Sequence, residues 1–117
     1  MKILLLLNLF IEGIVGLIFI LNPSFLPIFS NADLHTLYIV RMYGFAAVTM
    51  AYLSLQILIQ IHVQELLVTG LLVFILFHFS IGMAQLTHLQ AIEVTLPAAI
   101  LHFVFALAFL FYYLKER

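Results

Sequence analysis

The sequence predicts an all-α integral membrane protein: one domain of four antiparallel transmembrane helices, with both termini on the cytoplasmic side. Three observations predict it. Hydrophobic residues make up 67% of the 117 residues and charged residues only 8%. The apolar residues gather into four runs, each long enough to cross a bilayer. Three of the four basic residues, Lys2, Lys115 and Arg117, lie near the two ends.

Composition narrows the class first. A soluble domain is about half apolar and about a quarter charged. A chain this short leaves much of its surface exposed, so it has no room to hide this much apolar area from water. Lipid as solvent removes the conflict. With no cysteine, disulfides, thiolate metal sites and iron–sulfur clusters are excluded. Four Lys and Arg residues form no basic patch, which argues against a nucleic-acid partner.

The runs are Ile3–Leu21, Leu34–Ile59, Leu66–Leu86 and Ile92–Leu114. Lipid-facing backbone must bond internally, so each is read as a helix. Asn22-Pro23-Ser24 ends the first, because proline lacks a donor and restricts its neighbour. Residues 25–30, aromatic and carrying Pro27, suit the membrane interface. Asp33 is a good N-cap for the second helix. Residues 62–65 and 87–90 form the short remaining links. Pro97 falls in the first turns of the fourth helix, with Thr95 as a candidate cap. Lys2 and its leucine run resemble a signal peptide, but Glu12 interrupts the run and no small-residue cleavage site follows, so a retained helix is expected.

Orientation follows from charge. With four spans, the termini and the second loop share one side, which carries Lys2, Lys115 and Arg117. The opposite loops hold Asp33 and Glu93 and no basic residue. The positive-inside rule then puts both termini in the cytoplasm.

Each predicted helix carries one Glu, Arg or His well inside its span: Glu12, Arg41, His78 and His102. At about 1.5 Å per residue they all fall roughly 8–15 Å from the outer helix ends, in one slab. Their neighbours at helical spacing are mostly polar, aromatic or small, with Gly44 beside Arg41. Asn8, Glu12 and Gly16 share a face; so do Tyr38, Arg41, Phe45 and Tyr52; so do His78, Gly82 and Gln85; so do Ala98, His102 and Ala106. A charge facing lipid costs about 2.5–3.5 kcal/mol, so all four groups are expected to face inward. Glu12 and Arg41 are then the natural ion pair, since a guanidinium engages a carboxylate through two donors.

Several readings of this layer stay open. A Glu–Arg pair with bonded histidines fixes helix register and does no more. A pocket built from Glu12, Arg41, His78, His102, Gln85, Tyr38 and Asn8 holds a lipophilic small molecule by its polar head, since ionisable groups inside membranes are functional candidates. The same pocket serves an enzyme if a histidine moves a proton on an apolar substrate. Haem held by His78 and His102 is the remaining alternative, and no cofactor is otherwise expected. His35, His62 and His88 lie near helix ends and read as ordinary interfacial residues.

The motifs Glu12-Gly13-x-x-Gly16 with Asn22-Pro23, Arg41-x-x-Gly44, His78 with Gln85, and Pro97 with His102 resemble those of small DoxX-like bacterial membrane proteins. The resemblance spans nearly the whole chain and implies a four-helix bundle in the bacterial inner membrane. Some members are associated with quinone-linked thiosulfate oxidation, and no residue here carries that activity over. The expected partners are membrane lipid, a lipophilic small molecule, and either a second copy or a larger membrane complex.

Overall fold

The computed structural model describes residues 1–87 and 92–117, the side chains of 92–94 excepted. The turn expected at 87–90, with His88, lies largely outside the described residues, as does the Glu93 side chain. Four helices follow in order: α1 (Lys2–Leu21), α2 (Leu34–Ile59), α3 (Gln64–Leu86) and α4 (Ile92–Glu116). All four are long and apolar enough to cross a membrane. They form two compact units, Met1–Ile59 and Gln60–Arg117.

In the first unit α1 packs on α2. α1 stops at Asn22, whose N–H donates to the Ile18 carbonyl, and Pro23 then opens a short 3-10 turn. Pro27 opens a second such turn. The Phe29 ring packs edge-on against Phe19, 5.7 Å between centroids, which folds this connection back onto α1. Asp33 caps α2: its Oδ1 accepts the Thr36 backbone N–H at 2.7 Å.

Small residues line much of the contact between α1 and α2. α1 buries Leu5, Asn8, Glu12 and Gly16. α2 buries Val40, Gly44, Ala47, Ala51, Ser54 and Ile57. Asn8 bonds Ser54, Gly13 faces Ala51, Gly16 meets Val48 and Gly44, and Phe19 packs on Tyr43. Residue numbers rise along α1 as they fall along α2. Without side chains at Gly16 and Gly44 the two backbones come into direct contact, which suits association in lipid, where packing and not water exclusion drives helix pairing.

In the second unit α3 packs on α4. Their core is aromatic: Phe74 and Phe109 are fully buried and stack at 4.7 Å. Gly82 makes room for the Phe103 ring. Gln64 Nε2 donates to the Glu116 carbonyl, joining the start of α3 to the end of α4. The bond joins the two helix ends that extend beyond the apolar runs, α3 starting at Gln64 and α4 continuing to Glu116. α4 also begins at Ile92, so Thr95 is inside the helix and is not its cap, and Pro97 sits in the second turn.

Candidate functional site

The polar residues of the first unit occupy the α1–α2 contact. Asn8 Nδ2 donates to Ser54 Oγ at 2.9 Å, and both residues are fully buried. One turn further along α1, Glu12 is 3% exposed. Tyr43, half-buried on α2, lies near Glu12. Asn8 and Glu12 thus share the buried face expected of them.

Arg41 and Tyr38 depart from expectation. Arg41 is exposed, and Tyr38 is 61% exposed, as are Phe45 and Tyr52 to similar extents. The expected face is real, but it points outward. At about 100° per residue it lies roughly 100–160° round α2 from the stripe Val40, Gly44, Ala47, Ala51 and Ser54. That stripe turns toward α1 because only small residues allow the backbones to meet. Arg41 is therefore carried away from buried Glu12, and the expected ion pair is not formed.

The second unit brings its two histidines together. His78 Nδ1 and His102 Nδ1 lie 2.9 Å apart in a hydrogen bond, and the residues are 1% and 8% exposed. His78 stacks on Phe105 and Phe109 at 5.0 and 5.7 Å, and Phe77 meets it edge-on. The spacing is local: His78 follows Phe74 by one turn, and His102, Phe105 and Phe109 recur at helical intervals along α4. Gln85 is half-buried two turns beyond His78.

This geometry constrains the chemistry. A neutral imidazole carries one N–H and one acceptor nitrogen, and an imidazolium carries two donors. Two Nδ1 atoms in one bond therefore hold one proton between them, and at least one ring is neutral. Were haem bound here, His78 and His102 would be the residues to hold its iron, and the iron would supply redox chemistry.

No family model matches the chain, and no curated protein or solved structure matches it. The site therefore rests on its own geometry. Sequence reasoning missed two polar residues of the first unit, Ser54 and Tyr43. The spacing Gly44, Ala47, Ala51, Ser54 was the available signal, since those residues repeat at three and four and define the face of α2 that meets α1. An open apolar groove of about 300 Å³ lies along Leu17, Leu21 and Phe25. Asn22 also lines it, and it contains none of the buried polar residues of either unit.

Proposed function

We propose that the chain is a multi-pass protein of the bacterial inner membrane that binds a lipophilic small molecule, such as a lipid, quinone or isoprenoid, by its polar head. In this reading the helices alternate in direction and both termini are cytoplasmic, following the placement of Lys2, Lys115 and Arg117. The DoxX-like resemblance points the same way. The observation that carries the reading is the buried His78–His102 pair among Phe77, Phe105 and Phe109. A polar pair inside an apolar, aromatic surround is what a ligand with one polar end and an apolar body needs. Inside a membrane-spanning segment such groups are costly, and a binding role gives a reason for them.

Native mass spectrometry of the purified protein tests this. A lipophile should be retained by the wild type and lost from His78→Leu/His102→Leu, while helicity and elution volume stay unchanged. A wild type that carries no lipophile, or a double variant that keeps it, rejects the proposal.

A second reading is a structural subunit. The first unit favours it, because the Gly16–Gly44 approach and the Asn8–Ser54 bond are packing devices that fix one register of α1 against α2. In that case the histidine pair fixes α3 against α4 in the same way.

A further inference from the structure

Arg41 is exposed on a helix long and apolar enough to cross a membrane. We infer that Arg41 and Tyr38 form a surface site for the phosphate of a membrane phospholipid, with His35 flanking it. The site is separate from the buried polar groups and stands whether or not they bind a lipophile.

Depth is the first argument. α2 has 26 residues. At about 1.5 Å each it is roughly 39 Å long, against ~30 Å of hydrocarbon, so with the helix near the membrane normal about six residues lie outside it. The first five residues of α2 include His35, Thr36 and Tyr38, whereas the last five include only Gln56 among polar types. The excess therefore belongs at the start. From Met42 to Ile59 no residue is charged, and this stretch spans about 27 Å, nearly the full hydrocarbon thickness. Arg41 thus stands at the hydrocarbon boundary and not in mid-membrane.

Direction is the second. Side chains on a helix lean toward its N-terminus, which here is the headgroup side. The arginine stem runs along apolar surface while its head reaches the polar layer. Tyr38 lies one turn nearer that layer and is 61% exposed, and His35 is exposed nearly a turn beyond it.

Chemistry is the third. A guanidinium offers parallel donors that match two oxygens of a phosphate, and the tyrosine hydroxyl adds a neutral donor. No acidic residue lies within the helix to compete: the Asp33 carboxylate precedes it and is held by its own cap bond. Charge complementarity selects an anion, and depth selects the lipid headgroup as its source.

The test uses the full chain in detergent, with dioleoyl phosphatidylglycerol and the phosphate-free monogalactosyl diacylglycerol as probes, read by native mass spectrometry. Wild type should bind the phosphate-bearing probe and not the galactolipid. Arg41→Leu, which inserts at least as readily as wild type, should bind it about five- to tenfold more weakly. Arg41→Lys should keep an intermediate affinity, because a point charge replaces the planar fork. Equal phosphatidylglycerol binding by wild type and Arg41→Leu overturns the inference. So does a wild-type dimer that Arg41→Leu converts to monomer with lipid binding unchanged, since the occupant is then a second copy.

Discussion

Gly16 and Gly44 meet backbone to backbone. A Cβ on Gly16 would lie 2.8 Å from the Gly44 carbonyl oxygen, and one on Gly44 would lie 2.9 Å from that of Gly16. Neither obstacle is a flexible side-chain tip, so neither moves aside cheaply. Gly16→Ala and Gly44→Ala should each destabilise the first unit by about 1–3 kcal/mol through overpacking. Gly13 is the internal control. Its Cβ would meet only Ala51 Cβ at 3.6 Å, an ordinary contact. Gly13→Ala should be neutral or slightly stabilising, because alanine is the better helix former. Thermal melts in detergent for the three variants check this ordering; equal losses would refute it.

Asn8 and Ser54 form a buried bond one turn from Glu12. Side-chain bonds between membrane helices average about 0.6 kcal/mol and reach roughly 1.7, because partly unfolded chains in lipid also find partners. Ser54→Ala should therefore cost about that much and no more. Asn8→Leu with Ser54→Ala should cost less than the two single changes combined, since neither partner of this bond is left behind. A double-mutant cycle in one detergent measures the coupling, and strict additivity would show that the bond contributes nothing.

Much of the fold was legible in the sequence, for reasons local to each element. Asn22-Pro23 and Asp33 mark their helix ends chemically, and α2 runs over the predicted residues 34–59. The face Asn8, Glu12, Gly16 was legible because its spacing of four is helical and its members are polar or small. Arg41 was misplaced because the cost of a charge in lipid was assigned to interior pairing alone. Two things escaped that assignment. The Gly44–Ser54 stripe competes for the packed face, and a long helix lets an arginine near its start reach the headgroups instead. The Gln64–Glu116 bond at the extensions of α3 and α4 was not legible, since it joins residues far apart in the chain.

His78 and His102 share one proton across a 2.9 Å bond between their Nδ1 atoms. Nitrogen-15 spectra of histidine-labelled protein should show scalar coupling between those two nitrogens, because the bond joins them directly. His78→Phe should abolish the coupling and leave the signals of His35 and His62, which lie on exposed positions, unmoved. Two rings each protonated at Nε2 only, with no coupling, would contradict the bond. The stability cost of His102→Leu should fall in the same range of about 0.6–1.7 kcal/mol as other bonds between membrane helices.

Asp33 gives a prediction outside the membrane-spanning segments. Its carboxylate accepts the Thr36 backbone N–H and is further held by the Thr36 side chain, so its pKa lies below the ordinary 3.8. The ionised form is the one the cap stabilises. A carboxyl whose folded pKa is depressed adds stability that is complete above the unfolded pKa. That stability is lost as pH falls through the folded pKa. Asp33→Ala should therefore lower the melting temperature at neutral pH by removing the first bond of α2. The gap to wild type should hold constant down to the ordinary carboxylate range and then narrow with further acidification. Asp33→Asn keeps an acceptor at the cap but does not titrate. It should lie close to wild type at neutral pH, and the small gap should change only through the loss suffered by wild type. Thermal melts of all three proteins across an acidic series decide the matter. A gap for Asp33→Ala that stays constant into strong acid would show that the cap does not depend on the charge of Asp33.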